Sequence, residues 1–178
     1  EAVLEERGEE KQIETECSAD LTVNANIPER YVASPEQRMD LYRRIAAIRT
    51  NEDASDLLDE MLDRYGDVPK PVTALLNVAM LRAAAMETGI TDITQKGRQL
   101  LFSFDMRIEP AALLAVCGMA GYRDRLQLAA GASPKLTLFL QPREDALDAA
   151  GGLVEQLRLQ QNELQLQGQQ PQEGGNEP

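Results

Sequence analysis

The residues with the clearest chemical potential are acidic and lie in the run D-x-x-D-E-x-x-D, from Asp56 to Asp63. On a helix, residues three apart are surface neighbours, so Glu60 and Asp63 would present their carboxylates one turn apart on the same side. Paired carboxylates can bind a divalent cation, transfer a proton or pair with guanidinium groups of a protein partner. One helix face cannot surround a cation, and an open helix end provides no catalytic cleft, so the first two uses are disfavoured.

The same two carboxylates are expected near the C-terminus of their helix, where negative charge opposes the helix dipole. Each such charge costs about 0.3 to 1 kcal/mol. This small local cost is compatible with a binding role for Glu60 and Asp63 and does not require one. Taken from the residues alone, a solvated acidic face is the simpler interpretation, because most runs of charge are solvated surface.

Other residues capable of chemistry are few. The sequence has no histidine, and its two cysteines, Cys17 and Cys117, lack the CxxC spacing of zinc and redox sites. It contains no GxxxxGKS/T, GxGxxG or GxSxG motif. Cys117 is interpreted as a small apolar core residue, since no basic neighbour would lower its pKa. We therefore predict that this chain is not an enzyme, and we assign no catalytic residue, metal or cofactor to it.

The bulk composition favours protein partners. A formal net charge of -12 argues against independent binding to DNA or RNA, because lysine and arginine supply most of the affinity for phosphates. A basic protein surface is the partner that this charge favours. No apolar run reaches the roughly 18 residues of a membrane span, and the first residues lack a signal-peptide pattern. With no disulfide framework either, a reduced, cytoplasmic protein is expected.

Two amphipathic helices are predicted around the acidic run. Ser34 would cap the first, with Pro35 at its first position and Gln37 reaching back to complete a capping box. Helical spacing gives it an apolar face of Leu41, Tyr42, Ile45 and Ile48. Its arginines fall largely on the other side: Arg38, Arg43, Arg44 and Arg49.

The second helix carries the acidic residues. Thr50 begins its capping signal, and Gly66 is predicted to end it in a left-handed cap. Its predicted buried face consists of Leu57, Leu58, Met61, Leu62 and Tyr65. The acidic residues of the helix lie outside this buried face: Glu52, Asp53, Asp56, Asp59, Glu60 and Asp63.

The remaining sequence predicts a third helix and a sheet. The expected elements are a strand over Glu16–Val23, a helix from Pro71 closed by Gly89, a hairpin in ITDITQKGRQLLFSFD, a short helix from Pro110, strands over Tyr122–Leu128 and Lys135–Gln141, and a final helix from Arg143 interrupted by Gly151 and Gly152. This order predicts an α+β fold with a largely antiparallel sheet. Residues 1–15 are assigned as a polar lead-in, 16–165 as one domain, and 166–178 as a disordered tail.

Three segments resemble the C-terminal (TRCF) domain of bacterial transcription-repair coupling factors. They are IPERYV, QRMDLYRRIA and LLDEMLDRYGDVPKPVTALLNVAMLR. The most specific parts are R-x-x-x-Y-x-R-I-A from Arg38 to Ala46 and D-R-Y-G-x-x-P from Asp63 to Pro69. The resemblance extends over roughly Glu16 to Leu157, and from Gln95 onward it lies in pattern more than in residues.

The resemblance implies a non-catalytic domain of a DNA translocase that removes stalled RNA polymerase and recruits the nucleotide-excision repair protein UvrA. In the family, this domain folds back on the UvrB-like N-terminal module, masks the UvrA-binding surface and represses the ATPase until RNA polymerase engages. The resemblance places Glu60 and Asp63 against arginines of that module, with Asp56, Asp59 and Arg64 as weaker candidates. UvrA and RNA polymerase are indirect partners; no direct contact with nucleic acid or membrane is implied, and a monomer is expected.

Two other functions are compatible with the sequence. The domain could be an interaction module for an external repair or transcription protein, bound through the face that carries Arg38, Arg43, Arg44 and Arg49. Alternatively, it could be a structural ending that stabilises a neighbouring motor domain.

Overall fold

The computed structural model describes residues 16–169 and confirms an α+β fold with five helices and five strands in that part of the chain. In chain order the elements are β1 Ser18–Asp20, α1 Pro35–Ala46, α2 Asn51–Tyr65, α3 Lys70–Glu87, β2 Ile90–Lys96, β3 Gln99–Phe104, α4 Pro110–Cys117, β4 Leu126–Ala129, β5 Lys135–Phe139 and α5 Ala146–Gly168. None of the helices in this described part combines the length and apolar character of a bilayer span.

The five strands form one sheet in the order β1-β2-β3-β5-β4. All neighbouring pairs are antiparallel except β1 and β2, which run parallel. The predicted hairpin is confirmed as β2 and β3, which pair from Ile90 with Phe104 to Lys96 with Gln99. Gly97 turns this hairpin with φ of +58°, a backbone conformation that glycine adopts without a Cβ clash.

Apolar side chains of the described residues form two cores. The helical core lies among α1, α2 and the first half of α3, and includes Leu41, Leu57, Met61, Val72 and Leu76. The sheet core lies between the sheet, α4, α5 and the second half of α3, and includes Leu81, Ala85, Phe102, Leu138 and Leu153. Helix α3 therefore contributes to both.

Three predicted strands are shorter than expected, one of them β5, which ends at Phe139 rather than Gln141. At the N-terminal strand, only Ser18–Asp20 pairs with β2, although the alternating burial continues through Val23. Residues 122–125 form turns rather than a strand, because the amide groups of Arg125 and Leu126 donate to the Tyr122 carbonyl at 2.9 and 3.1 Å. Strand β4 consequently begins at Leu126.

The final helix differs from its prediction at both ends. It begins at Ala146, where the Asp145 side chain caps it, because Arg143 adopts φ of +65° and cannot start a helix. Gly151 and Gly152 do not interrupt it, since buried neighbours on both sides hold it on the sheet. The helix continues to Gly168, past the predicted domain end at 165, while the lead-in over 1–15 and the tail from 170 lie outside the described residues.

The predicted stop at Gly89 is confirmed, since α3 ends there with φ of +82° at the glycine. A Cβ at this position would lie 3.0 Å from Asp105 Oδ1 and 3.1 Å from the Ile108 nitrogen. Any larger residue at position 89 would therefore cause both backbone strain and overpacking.

We expect Gly89→Ala to lower the free energy of unfolding by about 2 to 4 kcal/mol, the sum of a strained φ and an overpacked site. Gly97→Ala is the matched control, since Gly97 also has positive φ but a Cβ there meets no atom within 4 Å. It should cost only about 1 to 2 kcal/mol. Urea unfolding of both variants tests this, and equal losses would contradict it.

Candidate functional site

Helix α2 starts with the predicted capping signal, and the structure shows it as a complete capping box. Thr50 Oγ1 accepts from the Asp53 amide at 3.1 Å, and Asp53 Oδ2 accepts from the Thr50 and Arg49 amides at 3.0 Å. Hydrogen bonds from the Arg49 and Thr50 amides lower the pKa of the Asp53 carboxyl. Asp53 thus caps the start of the helix, and this structural role distinguishes it from the other acidic residues of α2.

The other end of α2 is held by two tyrosines and a glycine. The Tyr31 hydroxyl lies 3.0 Å from the Gly66 carbonyl oxygen and 3.2 Å from that of Met61. Its ring packs edge-on against Tyr65, with centroids 5.7 Å apart. Gly66 ends the helix as predicted, but with φ of +80° and ψ of -157° it adopts an extended, glycine-only conformation rather than a left-handed helical cap.

The capping arrangement of α1 differs from its prediction in one bond. Ser34 accepts from the Gln37 amide at 3.3 Å and Pro35 begins the helix, both as predicted. The Gln37 side chain does not reach back to the cap; its oxygen accepts from the Tyr65 hydroxyl at 3.3 Å. It therefore joins the start of α1 to the last turn of α2.

Most of the predicted buried face of α2 is confirmed. Leu57 and Met61 are buried, and Leu58 and Tyr65 are half-buried against the helical core. Leu62 was expected in this face, but 43% of it is exposed. Each residue turns a helix by about 100°, so Leu62 points well away from Met61 toward the edge of the packed face.

Glu60 lies where α2 meets α1, and arginines on both helices bind its carboxylate. Arg44 of α1 donates to both oxygens, with 2.9 Å between Nη1 and Oε1. Arg64, one turn further along α2, donates to Oε1 at 3.2 Å. The hydrogen bonds from Arg44, and then the one from Arg64, lower the pKa of the Glu60 carboxyl to about 2. Glu60 is therefore ionised and paired within the domain at neutral pH.

Asp56, Asp59 and Asp63 differ from Glu60. All three side chains are exposed, and none forms an ion pair within residues 16–169. Asp56 and Asp63 lie one turn before and one turn after Glu60 on the same side of α2, and Asp59 is turned about 100° from Glu60. The structure thus separates the predicted site into one carboxylate paired with arginine and three exposed ones.

Two shallow grooves follow the junction of α1 and α2. The first, of about 320 Å³, is lined by Arg44, Ala47, Ile48, Asp53, Asp56, Leu57 and Glu60. The second, of about 220 Å³, is lined by Glu36, Gln37, Asp40, Leu41, Arg64 and Tyr65. Because Arg44 and Glu60 line one groove and Arg64 the other, the pair and its flanking carboxylates form one surface that a basic side chain could reach.

The arginines that the sequence placed on an outward face of α1 are largely engaged inside the chain. Arg38 donates to the carbonyls of Val32 at 2.8 Å and Ala33 at 3.0 Å. Arg49 donates to the carbonyl of Ile48 at 3.0 Å. Sequence reasoning missed the pairing of Arg44 with Glu60, although two charges of opposite sign on successive helices joined by a short connection were a signal for it.

The rest of the described chain provides little chemistry. No group of three or more acidic or cysteine side chains within 16–169 could hold a metal ion. Burial raises the pKa of the Cys17 thiol to about 11 and also raises that of Cys117, which is half-buried against the sheet core. A wider cleft of about 400 Å³ between α3 and α5 has mixed polar and apolar walls, and its charged lining residues are Asp148 and Glu155.

Comparisons with known proteins point to one family. The family model described as TRCF domain matches residues 21–112. The chain is 31% identical over 109 residues to the transcription-repair-coupling factor of Staphylococcus haemolyticus, an alignment that covers 60% of this chain and 9% of that protein. It is 43% identical over 75 residues to the factor of Mycobacterium tuberculosis, covering 42% of this chain and 6% of that protein.

The fold is also similar to a solved structure. The crystal structure of a C-terminal domain of transcription-repair coupling factor superimposes with a TM-score of 0.69, covering 83% of this chain and 95% of that one at 19% identity. This likeness shows the fold. The chain spans less than a tenth of the length of the curated relatives above.

The Glu60 carboxyl should titrate near pH 2, and Arg44→Gln should raise its pKa toward the ordinary value of 4.5. Because the folded-state pKa lies below the unfolded one, the stabilisation from this group is complete above about pH 4.5 and is lost as pH falls toward 2. NMR titration of the Glu60 side-chain carboxyl measures its pKa in the parent chain and in Arg44→Gln. Arg43→Gln, which removes the same charge from an exposed neighbour, should leave the Glu60 titration in place; equal shifts in the two variants would contradict the pairing.

Proposed function

The chain belongs to the TRCF domain family, and on that premise we propose that it is a non-catalytic regulatory domain of a transcription-repair coupling factor, docking on the UvrB-like N-terminal module of the same protein. Docking would mask the UvrA-binding surface and repress the ATPase and translocase until RNA polymerase engages. The single observation that carries this proposal is the surface at the end of α2, where Glu60 and the exposed Asp56, Asp59 and Asp63 lie together.

The rigidity of this surface supports a role in recognition. Helix α2 is fixed at its start by the Thr50 capping box and at its end by the Tyr31 hydroxyl. Its inner face is anchored by Leu57 and Met61, which are 4% and 0% exposed. Carboxylates on such a helix present a preset spacing to a partner, and less conformational entropy is lost on binding than with a mobile loop.

The charge of the surface specifies the partner chemistry. A carboxylate and a guanidinium can form two parallel hydrogen bonds, which gives geometric selectivity as well as attraction. A surface with unpaired carboxylates at Asp56, Asp59 and Asp63 therefore fits a module that presents arginines. The formal net charge of -12 would also steer the domain toward a basic surface.

A weak contact is sufficient for repression because the two surfaces are in one protein. A tether raises their effective concentration to about 1 mM, so a contact with a dissociation constant of about 10 μM would be closed about 99% of the time. The closed state then needs only a few kcal/mol of net stabilisation, about 3 kcal/mol for a ratio of 100 to 1. Engagement of RNA polymerase could overcome a bias of this size.

Charge reversal on α2 should release the repression. In the coupling factor that carries this domain, without RNA polymerase, we expect Glu60→Arg plus Asp63→Arg to raise UvrA association and basal ATP hydrolysis about ten-fold or more, the effect of losing at least about 1.4 kcal/mol of closure. Equilibrium binding to UvrA and steady-state ATPase assays measure this. Repression at the parental level would remove the docking role of this surface.

A second variant separates docking from local damage. Reversal at Glu60 places a third guanidinium beside Arg44 and Arg64. Asp56→Arg plus Asp63→Arg leaves the pairing of Glu60 with these two arginines in place. We expect this second double variant to release repression as much as the first. Asp124→Arg plus Glu163→Arg makes the same change in net charge at two exposed positions outside α2 and should keep repression intact.

A further inference from the structure

We propose that Arg44 is an internal competitor for Glu60, so that docking requires an exchange of guanidinium groups in which Arg44 leaves Glu60 and moves to Asp40. This inference rests on the proposed function and concerns how the same surface is regulated. It makes the strength of the closed state a property of α1 as well as of α2.

The first step is the occupancy of the Glu60 carboxylate. An ionised carboxylate has about four acceptor positions on its two oxygens. Arg44 bonds to both oxygens, and Arg64 bonds to Oε1 at 3.2 Å. An incoming guanidinium therefore cannot form two parallel hydrogen bonds with Glu60 while Arg44 remains in place.

The second step is charge. Glu60 together with Arg44 and Arg64 carries one net positive charge, because two guanidiniums face one carboxylate. These two guanidiniums repel a partner arginine at Glu60 itself until one of them leaves, although Asp56, Asp59 and Asp63 attract it to the surface. Arg64 also stacks on Tyr65, with its guanidinium carbon 5.2 Å from the ring centroid, so Arg44 is the one less restrained by its own helix.

The third step is a place for Arg44 to go. Asp40 lies four residues before Arg44 on α1, the spacing at which helical side chains meet, and it is exposed. It forms no ion pair among residues 16–169. The hydrogen bond to Glu60 is the largest cause of the raised pKa of Arg44, and the negative charge of Asp40 adds to that rise. Moving Arg44 from Glu60 to Asp40 would keep its charge paired throughout the exchange.

The pairing of Arg44 with Glu60 is also exposed enough to open. The two side chains are 39% and 36% exposed, and exposed ion pairs are weakly held. The pair of Arg125 and Glu144 is the contrast, since only 17% and 25% of those side chains are exposed. Arg125 donates further to the Phe139 carbonyl at 3.1 Å, and Glu144 accepts from the Gln141 amide at 2.8 Å, which suits a permanent connection.

The test compares Arg44→Gln with Arg43→Gln in the coupling factor that carries this domain, without RNA polymerase. Both remove one positive charge from α1, but only Arg44 binds Glu60. Arg44→Gln should tighten repression beyond Arg43→Gln, lowering UvrA association about two- to five-fold, the range expected for one exposed ion pair. Asp40→Asn removes the alternative acceptor and should loosen repression, with Glu36→Gln as its charge-matched control on the same helix.

The outcomes separate this inference from the function on which it rests. If charge reversal at Asp56 and Asp63 releases repression but Arg44→Gln behaves like Arg43→Gln or loosens it, the exchange is overturned and docking stands. If neither charge reversal on α2 changes UvrA association, docking and exchange both fail. Tighter repression with Arg44→Gln than with Arg43→Gln, together with looser repression with Asp40→Asn than with Glu36→Gln, would support the exchange. Each variant and its control change the net charge equally, so a difference between them is not an effect of net charge.

Discussion

Helix α3 is buried in two apolar cores at once, and it thereby connects the helical half of the domain to the sheet. Its first half supplies Val72 and Leu76 to the helical core, while its second half supplies Leu81 and Ala85 to the sheet core. A helix in this position needs apolar side chains on more than one face, which explains its run of leucine and alanine. The small alanines allow close packing on the sheet, and the helix carries α1 and α2 at its other end.

This arrangement explains why polar groups could be left available on α2. Its inner face is anchored by Leu57 and Met61 and its ends by the Thr50 capping box and the Tyr31 hydroxyl, so its outward carboxylates are not needed to hold the fold. Where an ion pair does connect elements permanently, at Arg125 and Glu144, it is more buried and has additional backbone partners. The domain thus separates charges that stabilise it from charges that can exchange.

Much of the fold could be predicted because its signals are local. The caps at Ser34 and Thr50 and the stops at Gly66 and Gly89 are each set by a few neighbouring residues. Some predictions failed at local features, such as the turn over 122–125, and others failed where distant contacts decide the outcome. The final helix continues through Gly151 because its buried neighbours pack on the sheet, and that stabilisation exceeds the roughly 1 kcal/mol that glycine costs a helix.

The sequence by itself determined the α+β class, the amphipathic helices and the acidic character of α2, since these depend on composition and on spacing along one element. It also placed Glu60 and Asp63 one turn apart. Only the tertiary structure decided that Glu60 is bound by Arg44 while Asp56, Asp59 and Asp63 remain exposed. The reason is physical: helical periodicity fixes the direction of a side chain from its own axis, but the partner of a charge depends on which other helix packs beside it.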